Sequence, residues 1–205
     1  MTGLLHCFAS GIRFDTDVQY QAIAGNSTRW RNLPLKLHRV DDTHGGLLCA
    51  LQCAMALTQA ARMPSVRGRA PPGDLAQMQT LVERFTAESK PQALQAEGDM
   101  EIMTLAQRTV DAGGWSLLHY QRQNPALTRW ALVCGVECEE NAPNPRALLL
   151  LDSQASEPWG TGYNARLFMP EQPDSRHGSI SLWRDVWGGS TKVRMLGLLS
   201  FVARS

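Results

Sequence analysis

An α+β domain is the fold class predicted for this chain of 205 residues, and three observations predict it. An apolar segment, Gly45-Gly46-Leu47-Leu48-Cys49-Ala50-Leu51-Gln52-Cys53-Ala54-Met55-Ala56-Leu57, has the length and uniformity of a buried helix. Two further segments place their apolar residues at helical spacing, and beyond Gly113-Gly114 the period changes from helical to strand-like. Helices first and an antiparallel sheet afterwards is the order expected of an α+β domain.

The first forty residues read as irregular or β-rich, with partial alternation in Val18–Ile23 and Leu33–Leu37. The apolar helix follows, spanning about 46–61, with Asp42 or Thr43 as its N-cap. Residues 67–73 are rich in Gly, Pro and Arg and form a loop. Asp74 then caps a second helix that carries Leu75, Met78, Leu81, Val82 and Phe85 toward Glu88. A third helix runs from Asp99 to Ala112 on Met100, Ile102, Met103, Ala106 and Val110, and the glycine pair ends it. Strands are expected at 115–120, 129–136 and 146–152, separated by turns at 123–125 and 141–145, as an antiparallel meander with a buried middle. After a Gly/Pro/Ser-rich loop region at 153–176, closing strands are expected at 179–183 and 193–202. The length and the absence of repeats imply one domain spanning 1–205.

Composition narrows the function classes. The formal charge of +1 offers no electrostatic case for nucleic acid or an anionic membrane, and no segment reaches the ~18–20 apolar residues of a membrane span. The N-terminus lacks the basic and apolar regions of a cleaved signal peptide, which makes the cytoplasm the default location, though export without such a signal stays open. Glycine pairs at 45/46, 113/114 and 188/189 lack the context of a phosphate loop, so no nucleotide cofactor is expected. The five cysteines, Cys7, Cys49, Cys53, Cys134 and Cys138, are odd in number and argue against a disulfide framework. Their C-x-x-x-C spacings, 49/53 and 134/138, fall in a helix and a strand pattern rather than on the turns zinc sites favour, so buried free thiols are expected and no metal is assigned.

Cys49 stands in the first turn of the apolar helix, where unpaired N–H groups and the positive end of the helix dipole acidify a thiol. The same residue also fits a helix packed on every side, so nucleophile and packing residue are both open readings. The histidines within chemical range by sequence are His44, five residues earlier, and His119, on the strand paired with 129–136. Asp152 ends an apolar strand as either a turn residue or a functional acid. Arg129 beside Trp130 is a cation that stacks on an aromatic face or holds a carboxylate.

Three stretches together, Cys49-Ala50-Leu51-Gln52-Cys53-Ala54-Met55-Ala56-Leu57, then Thr128-Arg129-Trp130-Ala131-Leu132-Val133-Cys134-Gly135, then Leu151-Asp152-Ser153, resemble the papain-like cysteine peptidase superfamily. The likeness is to its bacterial C39-like branch, related to the bacteriocin-leader peptidases, and it covers about residues 40–155. It implies a papain-like arrangement of a cysteine helix and further helices packed on a C-terminal sheet. It also implies Cys49 as nucleophile and Asp152 as the acid that orients a histidine. Two positions depart from that pattern. The histidine position carries Arg129, which cannot act as a base near neutral pH, and neither Asp42 nor Thr43 supplies the oxyanion-hole glutamine. The resemblance therefore implies a degenerate domain that binds a peptide or protein in the former cleft through Arg129 and Trp130, as an adaptor or an accessory of a secretion or effector system. The alternatives are an active thiol hydrolase or acyltransferase using Cys49 with His44 or His119, and a zinc-stabilised interaction module. Oligomeric state is not encoded in any feature of the chain.

Overall fold

The computed structural model describes residues 4–8, 46, 50, 53–54, 72–87, 91–124, 126–139, 145–152, 155, 163–170, 179–185 and 188–202. Eight strands dominate it: β1 (Leu4–Phe8), β2 (Gln92–Ala96), β3 (Trp115–Arg122), β4 (Leu127–Glu139), β5 (Pro145–Asp152), β6 (Ala165–Phe168), β7 (Ile180–Asp185) and β8 (Ser190–Val202). Two complete helices accompany them, α1 (Leu75–Phe85) and α2 (Asp99–Asp111), and Gly46, Ala50, Cys53 and Ala54 are also helical.

All pairings are antiparallel, and they close on themselves. β4 pairs β3, β3 pairs β8, and the ladder continues through β7, β6 and β5. β5 then returns to β4, with Ala131 opposite Asp152 and Val136 opposite Leu148. The result is a barrel, in which every ring strand has two neighbours. The long strands β4 and β8 extend past the ring. β4 takes β1 beside its C-terminal half, and β8 takes β2 beside its own.

This closed, sheet-dominated architecture overturns the expected papain-like α+β arrangement of helices packed on a C-terminal sheet. Strands are interleaved with the helices, β2 standing between α1 and α2, and the described helices are short. The physical reason is closure. Segments that read as an open meander are long enough, and bulged enough, to curl into a ring. One bulge lies on β4 between Val133 and Gly135, and another lies where β3 meets β8 between His119 and Tyr120.

Alternation along the strands sorts the apolar residues into two cores. Leu118, Ala131, Val133, Val136, Leu148, Leu150, Leu167, Val193 and Leu198 fill the inside. Leu117, Trp130, Leu132, Cys134, Leu149, Leu151, Leu199 and Phe201 point outward, where Ala50, Cys53 and the α1 residues Met78, Leu81 and Val82 cover them. The β4 bulge inserts one residue, so Cys134 points outward and Val136 inward although both are even-numbered. α2 contributes Ile102, Met103, Ala106 and Val110 to the inner core. It sits at the end where β1 and β2 extend the ring, and Asp99 Oδ2 accepts the Ser179 N–H there at 2.8 Å. One end of the barrel is thus stoppered by an amphipathic helix.

Helix boundaries follow local chemistry. Asp74 caps α1 as the sequence predicts, its carboxylate accepting the Gln77 N–H at 2.8 Å while Gln77 Oε1 accepts the Gly73 N–H at 3.0 Å. The helix ends at Phe85, where the Thr86 N–H and hydroxyl both turn back to the Val82 carbonyl. α2 ends on Gly113, whose φ of 69° lies in the left-handed region that glycine enters without penalty. The expected runs Val18–Ile23 and Leu33–Leu37 lie outside the described residues, as does most of the helix expected at 46–61.

Candidate functional site at the barrel mouth

The end of the barrel opposite α2 is where β3, β5 and β7 finish and β4, β6 and β8 begin. Polar and aromatic residues occupy the inward-facing positions there, continuing the parity of the apolar core: Tyr120 and Arg122 after Leu118, Asp152 after Leu150, Arg129 before Ala131. Period-two alternation alone brings these residues to one mouth.

Asp152 is fully buried at its centre. Its Oδ2 accepts a hydrogen bond from the Tyr120 hydroxyl and a second from Trp183 Nε1 at 3.0 Å. The backbone of Asp152 is clamped by Asn164, whose Oδ1 accepts the Asp152 N–H at 2.8 Å and whose Nδ2 donates to the Asp152 carbonyl at 2.8 Å. Asn164 also donates its own N–H to the Leu150 carbonyl, so its side chain extends the β5–β6 ladder by one step. A buried carboxylate with donors on it is tolerated where a bare one would not be.

Outside this cluster lies a cavity of about 260 Å³ lined by Tyr120, Arg122, Arg129, Trp183, Asp185 and the segment Gly189-Ser190-Thr191. Arg129 is 9% exposed, and Arg122 presents a buried Nε that has no hydrogen-bond partner. Asp185 belongs to the rim. Its Oδ1 accepts the Gly189 N–H at 2.7 Å across the tight β7–β8 turn, where Gly188 holds φ 94°. Among the described residues the lining offers guanidinium and hydroxyl groups between aromatic walls, with no cysteine or histidine.

His119 and Trp130 occupy the other side of the barrel wall. They are cross-strand partners, and their rings stack at 4.3 Å with an interplanar angle of 9°. Trp130 Nε1 donates to the Pro72 carbonyl at 3.1 Å. Gly46 lies against the same indole, close enough that a Cβ there would stand 2.9 Å from Trp130 Cδ1. Burial lowers the His119 pKa below its ordinary 6.5, and the nearby Asp74 carboxylate opposes that shift.

The sequence-predicted site residues are therefore divided. Arg129 and Asp152 both face inward at the mouth, while Trp130 and His119 face outward, so Arg129 does not share a surface with Trp130, nor Asp152 with His119. Asp152 holds Tyr120 and Trp183 in place of an imidazole. Cys49 and His44 lie outside the described residues. Of the paired cysteines, Cys53 and Cys134 are buried free thiols whose pKa values burial pushes well up, and Cys134 Sγ donates to the Leu149 carbonyl at 3.2 Å. Among the described residues no group of three or more His, Cys, Asp or Glu could hold a metal ion. Tyr120, Arg122, Asn164 and Trp183 were not expected at a site. Parity marks two of them, since Tyr120 and Arg122 share a face with Leu118, and Trp183 is marked as an aromatic near a strand end.

The chain matches no protein-family model and no curated protein. No helix among the described residues is long and apolar enough to cross a membrane.

Proposed function

We propose that this chain is a binding module whose barrel mouth receives a carboxylate, presented by a peptide as an acidic side chain or a C-terminus. The observation that carries the reading is the buried, unpartnered Nε of Arg122 on the same cavity wall as Arg129. A guanidinium stays protonated at any physiological pH and offers a planar donor fork matched to a carboxylate. Trp183 and Tyr120 supply flat apolar walls whose own polar atoms are already committed to Asp152, which leaves Arg122 to choose the ligand. The volume of about 260 Å³ is smaller than the ~300–1,000 Å³ of sites that enclose a drug-sized ligand, and suits one side chain or chain end.

Calorimetric titration of the full chain with short peptides ending in glutamate tests this reading. Arg122→Leu is expected to weaken binding by about 2 kcal/mol, roughly thirtyfold, as a charge-assisted hydrogen bond is lost. Equal affinity for fully amidated, carboxylate-free peptides would sink the proposal.

A second reading, thiol chemistry at Cys49, draws support from the outer face. Gly46, Ala50 and Cys53 are each helical, Gly46 lies against Trp130 of the His119–Trp130 stack, and burial lowers the His119 pKa, which favours the neutral form a general base requires. Alkylation of Cys49 by iodoacetamide decides it. Labelling at about pH 6 no faster than that of an unactivated thiol, or rates unchanged in His119→Ala, removes this reading.

A further inference from the structure

Helices cover the outer surface of β3, β4, β5 and the C-terminal half of β8, but among the described residues none packs on the outer face of β6, β7 and the N-terminal half of β8. That face is basic. Arg166 and Arg184 are direct cross-strand partners, Lys192 stands opposite Leu182, and Arg194 stands opposite Ile180. Arg146 joins them from β5, so that the guanidinium carbons of Arg146, Arg166 and Arg184 lie 5.9, 5.4 and 5.9 Å from the centre of the Phe168 ring. Five of the chain's 20 Lys and Arg residues thus gather on one patch of a protein whose formal charge is only +1.

Among the described residues, the two carboxylates beside this patch, Glu137 and Asp185, do not lie on its surface. Glu137 lies beneath it, its side chain 1% exposed, with Arg166 at 3.1 Å and Arg146 at 3.9 Å. Asp185 sits at the rim on the opposite parity, bound by the Gly189 N–H. Arg184, Lys192 and Arg194 are exposed, and so are two aliphatic side chains among them, Ile180 at 48% and Leu182 at 37%. Like charges set directly opposite one another across strands repel, a cost that an anionic partner reverses.

We infer that this face docks an acidic protein segment that alternates carboxylate and aliphatic side chains, at a surface separate from the barrel mouth. Charge complementarity supplies the first half of the match and the exposed Ile180 and Leu182 the second. An extended segment repeats its side chains about every 6.8 Å on one face, twice the strand rise, which is also the spacing of alternate residues along β7 and β8. Because β7 is paired on both sides, recognition runs through side chains and not through strand addition. A single-stranded nucleic acid fits less well. It needs open aromatic faces to stack on, yet Phe168 is already met by three guanidinium groups and Trp183 points into the barrel.

The test measures fluorescence anisotropy of a labelled peptide of alternating glutamate and leucine against the full chain, with labelled oligothymidylate of equal charge in parallel. Binding of the peptide that weakens with added salt, and that falls about tenfold or more in the triple variant Arg184→Glu, Lys192→Glu, Arg194→Glu, supports the inference. These three residues are exposed, and Arg166 is left intact because it neutralises buried Glu137; unchanged circular dichroism in the variant verifies the fold. Ile180→Ser with Leu182→Ser is expected to weaken the peptide severalfold without altering the salt dependence. No peptide binding at low salt, binding indifferent to the charge reversals, or tighter binding of the oligonucleotide than of the peptide would each overturn it.

Discussion

Asp152 shows how one side chain organises the mouth of the barrel. Its Oδ2 gathers the Tyr120 hydroxyl and the Trp183 indole, so removing the carboxylate strands two donors inside a closed wall. Asp152→Ala is expected to cost roughly 2–4 kcal/mol in urea unfolding, while Asp152→Asn, which retains an acceptor, costs less. His119 contributes a pH dependence of definite sign. Burial lowers its pKa in the folded state, so below the ordinary value of 6.5 the unfolded chain takes up a proton that the native chain resists. Stability is therefore present in full above 6.5 and declines as pH falls from there to the lowered native value. Replacing His119 by phenylalanine keeps a ring on Trp130 and removes this part of the slope, which urea midpoints across a pH series will register. Cys53 and Cys134, buried and held protonated, are expected to resist alkylation until the chain unfolds.

At the scale of elements, the turn from α2 into β3 is the tightest joint. A Cβ on Gly114 would run into the Phe201 carbonyl oxygen of β8 and stand 2.9 Å from Thr109 Cγ2. Backbone cannot yield as a flexible side chain does, so Gly114→Ala is expected to destabilise by about 1–3 kcal/mol, measured as a lowered urea midpoint. This joint, the Asp74 cap and the strands at β3, β4, β5, β7 and β8 were legible in the sequence, because capping chemistry, glycine pairs and apolar alternation are local signals. β2 was not. Its sequence, Gln-Ala-Leu-Gln-Ala, is mostly exposed and has no strand composition, and it is held extended by pairing with the β8 backbone, from Gln92 opposite Val202 to Ala96 opposite Leu198. β6 lay within a segment that reads as loop, since four residues flanked by Gly and Pro offer too short a pattern. Of the site, Arg129 and Asp152 were legible as chemistry at strand ends. Their separation from Trp130 and His119 was not, because the side of a wall is defined only once the sheet closes.

For the whole molecule, closure is what makes the two cores interdependent. The inner core draws on β3 to β8, and the outer core uses the reverse side of β3, β4, β5 and β8. Circular dichroism and tryptophan fluorescence are therefore expected to report one coincident unfolding transition, and a midpoint that differs between the two probes would contradict that coupling. The seam between β3 and β8 adds a temporal consequence. Ser116 and Ser200, 84 residues apart, share a buried hydrogen bond of 2.7 Å between their hydroxyls. Until β8 has been synthesised, β3 has no second neighbour among the described strands, α2 has no completed wall to close, and β2 lacks the strand it pairs with. β3 to β7 can pair one after another as they emerge, but the ring stays open, with the β3 and β7 edges exposed, until the last ring strand is made.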